Sequence, residues 1–312
     1  MPSNCLDVGS QAMICDLPFR YDTYNGCTHR CRYCFANRKE FGKNLKVTPL
    51  LNPVSKLKKT IINIISGKPD DNIMPLKWID WKLPIHWGGL SDPFQPIEKR
   101  YKLSLESLKV FAEYQYPFLV STKGNVIVEP EYLNLIKQCN CAVQISMSCS
   151  AMDKYEPGAP SFAERLKMLE TISKHAKRTI VRVQPYIPNF KHEILENIPK
   201  FKDAGAHGVI FEALKFVKKV NNSLERLGGD FVYKLEILRP DFLQFKDVCH
   251  NNDLKFYSGE NRLRSMGDDL CCCGVADMEG FKVNNFNINH LFNGDGLPPP
   301  AMRKKHQEPV FQ

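Results

Sequence analysis

Cys27-Thr28-His29-Arg30-Cys31-Arg32-Tyr33-Cys34 gathers three thiols on one short segment with the spacing Cys-x3-Cys-x2-Cys, on a loop opened by Asn25-Gly26. Thiolates are soft metal ligands and redox groups, so cysteines grouped in this way point to metal or redox chemistry. A structural zinc site wants four closed ligands, and no second Cys-x2-Cys pair or spaced histidine pair completes one nearby, although His29 is available. A cubane 4Fe–4S cluster held by only three cysteines leaves one iron open to a small-molecule ligand, which is a catalytic arrangement. Zinc and plain reduced thiols stand beside it as alternatives.

Other residues could do chemistry. Gly88-Gly89 follow an expected strand, and glycine lets the main chain come close to a ligand. Ser121, Thr122 and Ser146 sit at expected strand ends, where a hydroxyl meets either a ligand or its own turn. A guanidinium at Arg165 can pair with a carboxylate in bidentate fashion. Cys149 is expected at a strand end facing the active site. Cys271-Cys272-Cys273 form a second group. Neighbours alternate in an extended chain, so a second metal or cluster shared by Cys271, Cys272 and Cys273 needs a tight turn, which Gly274 favours. A purely structural role for these thiols is the alternative.

These residues belong to a chain of 312 with 43 Lys+Arg against 34 Asp+Glu, a formal net charge of +9. Hydrophobic content of 43% and charged content of 25% exclude a disordered, collagenous or membrane-spanning chain. A core of this size needs no disulfides, so the 12 cysteines call for another explanation. Met1 to Asp7 show neither a basic n-region nor an apolar h-region, and the longest apolar runs fall far short of the roughly 20 residues of a membrane span. An intracellular, cytoplasmic chain with reduced thiols and no membrane contact is the expectation. Basic runs at Lys56 to Lys59, Lys215 to Lys219 and Arg303-Lys304-Lys305 would favour a nucleic acid by counterion release, although such runs are usually solvated faces.

Positioning falls to an alternation of elements. Strands are expected at Phe19–Tyr24, Pro84–Trp87, Phe118–Ser121, Ala142–Ser148, Ile180–Pro185 and Gly208–Glu212. Between them helices are expected at Val54–Ser66, Leu103–Tyr114, Glu131–Cys139, Ser161–His175 and Lys191–Ala204. Six β/α units imply an α/β fold with parallel strands. From about Gly228 the pattern loosens into a helix near Asp241–His250, a strand at Leu254–Tyr257, the cysteine group and a tail around Pro298-Pro299-Pro300 that is expected to be extended or mobile. The expected division is 1–228 for the β/α repeat and 229–312 for a C-terminal extension.

The cysteine spacing, at the end of the first strand of a β/α repeat, resembles the radical S-adenosylmethionine superfamily. Asn25-Gly26-Cys27, Cys31 to Ala36, Ser91 to Glu98 and Val183 to Pro188 together look like its spore photoproduct lyase-like branch, over roughly residues 16–215. The resemblance implies an open partial (β/α)6 TIM-type barrel with the site at the C-terminal ends of the strands. It implies a 4Fe–4S cluster on Cys27, Cys31 and Cys34, and S-adenosylmethionine chelating the open iron. Tyr33 matches the position near the adenine, Gly88 and Gly89 the segment contacting the amino group, and Ser121, Thr122, Ser146 and Arg165 are candidates for the ribose and carboxylate. Leu90 stands where an acidic residue is often seen, so that contact would rest on backbone carbonyls or Asp92. A flavodoxin- or ferredoxin-type reductant is implied as a partner.

The branch's namesake repairs a thymine dimer in DNA, returning a hydrogen atom from a cysteine in the loop after the second strand; here Gly88 to Asp92 contain none. Candidate thiol hydrogen donors are therefore Cys149 and Cys272. The expected function is radical chemistry on a nucleobase in DNA or RNA, in repair or modification. A peptide or small metabolite is the alternative substrate, and a non-catalytic zinc-binding nucleic-acid module the alternative from another class.

Overall fold

Side chains alternate along the central strands, one set toward the helices and the other toward the enclosed face, so each strand separates two environments. The computed structural model describes residues 5–8, 14–36, 46–67, 83–284, 287 and 290; the basic run at 303–305 and the proline-rich tail lie outside the described residues. In chain order the strands are β1 (Leu6–Val8), β2 (Phe19–Tyr21), β3 (Tyr24–Asn25), β4 (Thr48–Pro49), β5 (Ile85–Trp87), β6 (Phe118–Thr122), β7 (Cys141–Ser146), β8 (Arg178–Tyr186), β9 (Gly208–Ala213), β10 (Leu224–Leu227), β11 (Asp230–Tyr233) and β12 (Lys255–Ser258). The helices are α1 (Pro53–Ile65), α2 (Glu98–Tyr101), α3 (Leu103–Tyr114), α4 (Pro130–Gln138), α5 (Phe162–Ile172), α6 (Lys191–Asp203) and α7 (Leu235–Asn251).

The main sheet has the order β1-β2-β5-β6-β7-β8-β9-β12, parallel throughout except for β1, which pairs antiparallel with β2. Its first and last strands do not pair with each other, so the α/β sheet curves into an open partial barrel of the expected kind. The portion after 228 is not set apart from it. The expected boundary falls on Gly228-Gly229, the two-residue turn of the β10–β11 hairpin, and α7 then leads to β12 beside β9. Helix α7 begins six residues ahead of expectation, at Leu235, and runs through Pro240, because Leu238, Phe242, Phe245 and Cys249 bury a continuous apolar face.

Between sheet and helices lies an aromatic core. Trp87 meets Tyr21, Phe94, Phe111 and Phe118 at centroid separations of 5.5–5.9 Å, and Phe111 stacks on Phe118 at 4.1 Å. One carboxylate is buried at the edge of this layer. Glu98 accepts hydrogen bonds from the hydroxyls of Tyr24 and Tyr132 and from the main-chain N–H groups of Ser104 and Leu105, tying β3, α3 and α4 together. On the enclosed side, Leu17, Leu119, Ala142, Ile180, Ile210 and Tyr257 pack on Cys271, Cys273, Val275 and Phe281, which floors the barrel at the N-terminal ends of its strands.

The single strand expected over Phe19–Tyr24 is broken by Asp22. Its carboxylate turns to accept the N–H groups of Leu90 and Ser91, both at 3.1 Å, fixing the loop after β5. Burial lifts the Asp22 carboxyl from 3.8 to about 7 despite those donors and nearby Arg20.

Two predictions come from these buried carboxyls. Glu98→Ala strands two hydroxyls and two N–H groups in the core and lowers the unfolding free energy in urea by about 3 kcal/mol, with Glu98→Gln losing roughly half as much; an unchanged midpoint contradicts that role. For Asp22, the fold retains a proton that the unfolded chain has lost between pH 3.8 and about 7. Its contribution to stability is therefore present below that window and is lost as the pH rises through it. Asp22→Asn keeps the acceptor, so urea titrations at pH 5 and pH 8 should show a smaller loss of stability with rising pH than in the parent.

Candidate active site at the mouth of the barrel

The cysteine loop is clamped on both sides of Cys27. Gln95, fully buried, donates its Nε2 to the Gly26 carbonyl at 3.1 Å and accepts the Thr28 N–H on its Oε1 at 2.8 Å. Two residues further on, His29 lies 3.0 Å by Nδ1 from the Gly158 carbonyl and 3.1 Å by Nε2 from Asp92 Oδ2. Gly158 is required there because a Cβ would strike the Thr28 carbonyl and stand 3.0 Å from the His29 Cα. Cys34 N–H closes a turn onto the Cys31 carbonyl at 3.1 Å.

Asp92 is the hub of this arrangement. Its Oδ1 accepts the Thr122 hydroxyl at 2.7 Å and the Phe94 N–H at 2.9 Å, while Oδ2 accepts the Lys123 and Gly124 N–H groups at 2.6 and 3.2 Å. Burial alone would raise its carboxyl, yet the facing His29 and these donors bring it down to about 2. Asp92 is thus spent on structure and is not free to meet an amino group. His29 is turned from the thiols toward the Gly158 carbonyl and the Asp92 carboxylate. Among the described residues no three His, Cys, Asp or Glu side chains already converge on a common point. Among the described residues this leaves three neighbouring half-buried thiols with no fourth side chain converging on them, a donor set that fits a cluster with one open iron. Burial, then the charge of Asp92, pushes the Cys27 thiol up to about 12, so it becomes a thiolate only opposite a bound cation.

A second buried carboxylate organises the other side of the loop. Glu156 accepts the Tyr33 hydroxyl, lies 3.7 Å from Lys123 Nζ and pairs with Arg165 Nη1 at 2.6 Å. Arg165, 1% exposed, also contacts Asp153 at 3.0 Å and donates to the Ser146 carbonyl at 2.8 Å. The residues expected at the cofactor are therefore brought together in part. Tyr33, Ser146 and Arg165 share one network, but the Arg165 guanidinium is occupied by protein carboxylates. Gly88, with φ +88°, donates its N–H to the Tyr21 carbonyl and passes so close to the Ser121 carbonyl that a Cβ cannot fit; Gly89 lies against the Arg20 side chain.

Ser121 and Thr122 point to opposite sides of β6. Thr122 holds Asp92, whereas Ser121 joins a polar layer inside the barrel, 3.0 Å from His86 Nε2 and donating to Gln144 Oε1 at 2.9 Å. Arg182 approaches Gln144 at 3.3 Å and Glu212 at 3.6 Å, and Glu212 also accepts from Gln184 and Lys215 at 2.7 and 3.1 Å. Burial, then the charges of Arg182 and Arg20, lowers His86 to about 3 and keeps it neutral.

Neither candidate hydrogen donor reaches this mouth. Cys149 was expected to face it, but β7 ends at Ser146, and the Cys149 thiol turns into the helix-side core, hydrogen-bonded to Glu193 of α6. Cys272 lies beside the floor of the barrel, where a hydrogen bond from Cys273 and the Arg264 charge overcome burial and hold its thiol at about 6. Sequence reasoning missed Gln95 and Glu156 as organisers; Gln95 lies within the Ser91 to Glu98 segment, but the partners of both are distant in the chain.

No protein-family model matches the chain. An uncharacterised protein of Mycobacterium tuberculosis is 24% identical over 204 residues, covering 62% of this chain and 58% of the relative. One of Methanocaldococcus jannaschii is 23% identical over 178 residues, covering 53% and 59%. The chain spans under two thirds of the length of the curated relatives it matches. Among solved structures, spore photoproduct lyase with a dinucleoside spore photoproduct aligns with a TM-score of 0.62 at 14% identity, over 81% of this chain and 78% of that one. SuiB of Streptococcus suis bound to its precursor peptide aligns with a TM-score of 0.52 at 14% identity, over 80% and 50%. No described helix is long and apolar enough to cross a membrane. At these identities the likeness is one of fold: the chain adopts the partial barrel of spore photoproduct lyase.

Proposed function

We propose that this chain is a radical S-adenosylmethionine enzyme, with Cys27, Cys31 and Cys34 as the cluster ligands and a nucleobase in DNA or RNA as the substrate class. The observation that carries the reading is a three-thiol loop, clamped by Gln95 and Asp92, at the C-terminal mouth of a spore photoproduct lyase-like barrel. A 4Fe–4S cluster on those cysteines would supply the electron that splits S-adenosylmethionine into methionine and a 5′-deoxyadenosyl radical.

The protein's own groups orient and enclose. Glu156 fixes the Tyr33 ring beside the loop, and the main chain of Gly88 and Gly89 offers close approach at the rim. Ser146 and Arg165 hold the β7 end against that rim through their shared carbonyl contact. The layer of His86, Ser121, Gln144, Arg182 and Gln184 presents hydrogen-bond donors and acceptors suited to the edge of a nucleobase, and Arg20 and Arg182 add positive charge for a phosphate. The dinucleoside bound by the structurally similar lyase supports this substrate class. A flavodoxin- or ferredoxin-type carrier is the reductant the chemistry calls for.

Anaerobic reconstitution with iron and sulfide, followed by dithionite and S-adenosylmethionine, should release 5′-deoxyadenosine from the parent and none from Cys34→Ala; zinc without acid-labile sulfide in the purified parent overturns the reading. DNA or RNA should raise that release several-fold, and indifference to every polynucleotide offered removes the substrate class while leaving the radical chemistry. Gly158→Ala pushes the Thr28 carbonyl out of place. Its cluster content, read from the visible absorbance, should fall at least twofold while the far-ultraviolet dichroism is retained.

A further inference from the structure

Between its cysteines the thiol loop turns cations to solvent. Arg30 and Arg32 flank Cys31, each one Cα step of about 3.8 Å away, and both are exposed. Phe35, next to Cys34, is 51% exposed. The neighbouring turn continues the strip: Arg32 N–H donates to the Tyr155 carbonyl at 2.9 Å, and Lys154, also exposed, holds its Nζ 5.1 Å from the centre of the Tyr155 ring. The two loops abut there, and their three cations form one basic strip beside the thiols.

None of the three has an ion-pair partner among the described residues, whereas lysines on the helices, such as Lys58, Lys99 and Lys102, are matched to glutamates at 3.0, 2.7 and 3.1 Å. The acidic residues nearest in the chain are spent elsewhere. Asp153 meets Arg165 at 3.0 Å and the Phe162 N–H at 2.9 Å, and Glu156 is buried against Arg165. Arg30 adds a second observation: its φ of +51° is left-handed, a conformation that glycine adopts freely and that strains any larger residue. A turn needing only its backbone would carry glycine there, while arginine keeps a charge beside Cys31 at a conformational cost.

We propose that Arg30, Arg32 and Lys154, with Phe35 as an apolar contact, form the docking surface for a small acidic one-electron carrier protein of the flavodoxin or ferredoxin type. The proposal rests on the radical reading of the thiol loop. An electron bound for Cys27, Cys31 and Cys34 arrives from outside the barrel, and its transfer weakens steeply with distance, so the carrier has to sit on the exposed protein nearest those thiols. Transient redox complexes bury little, less than about 1,200 Å² in total, so steering charge rather than packing decides them. Unpaired guanidinium and ammonium groups supply that steering toward an acidic partner. In the transfer the carrier loses one electron and the oxidised cluster gains it; no bond forms or breaks.

The probes are a flavodoxin and a plant-type ferredoxin, titrated in the oxidised state against the reconstituted full chain. Arg32→Glu combined with Lys154→Glu should weaken carrier binding, read by calorimetry, by about tenfold at low salt and remove most of its salt dependence. Release of 5′-deoxyadenosine driven by subsaturating reduced carrier should fall in step, while dithionite-driven release and the visible cluster absorbance match the parent. Arg30→Gly removes a charge and eases the left-handed turn, so it should weaken the carrier several-fold with no loss of thermal stability. Binding of neither probe by the parent, carrier affinity that neither variant changes, or equal losses with dithionite and carrier in both variants overturns the proposal. Charge reversal that spares the carrier but cuts the stimulation of dithionite-driven release by a polynucleotide also overturns it and assigns the strip to nucleic acid. A parent that releases no 5′-deoxyadenosine under dithionite refutes the radical reading, and the carrier titration then decides the surface by itself.

Discussion

The mouth of this barrel depends on one ionised carboxylate held away from water. Asp92 gathers an imidazole, a hydroxyl and three main-chain N–H groups, and through them it joins the loops that follow β3, β5 and β6. A buried charge is tolerable only when it is this fully coordinated, and the same requirement makes the geometry unique. Displacing any of its partners leaves the others facing a bare anion. The cysteine loop, which contains no regular helix or strand between Gly26 and Cys34, borrows its rigidity from that carboxylate and from Gln95.

The strands separate three jobs by direction alone. Outward positions such as Val120, Val143 and Val183 build the helix-side core, and inward positions near the strand beginnings, such as Leu119 and Ala142, build the floor. Inward positions two residues later, Ser121 and Gln144, turn polar. A period of two along one strand therefore moves from apolar packing to a polar lining within one alternation of side chains. Because β6 ends with Ser121 inward and Thr122 outward, adjacent hydroxyls serve the enclosed layer and the rim separately.

Much of this was legible in the sequence, for physical reasons. Hydrophobic period and helix-start chemistry report local structure, so the six central strands and the helices between them, including Leu103–Tyr114, fall close to where they were expected. The thiol triplet was legible because its spacing is local. Asp92, Gln95, Glu98 and Glu156 were not legible as organisers, since each finds partners across loops that only the fold brings together. The direction of Cys149 failed for a related reason: β7 stops two residues short of the expected Ser148, and the chain enters a 3-10 turn that reorients everything after it. The Gly228-Gly229 hairpin and the antiparallel β1 were missed because short edge elements carry little periodicity.

His86 sits in the polar layer with its protonation pushed far below neutrality by burial and by two guanidinium neighbours. An imidazole that cannot become a cation there is a discriminator by hydrogen-bond polarity alone: one ring nitrogen donates, the other accepts, and its neighbours decide which. Whatever enters the barrel meets at this position a fixed pattern of lone pair and N–H across the whole neutral range. Selection among ligands of equal charge, such as isomeric or tautomeric heterocycles, then becomes a matter of complementary edges.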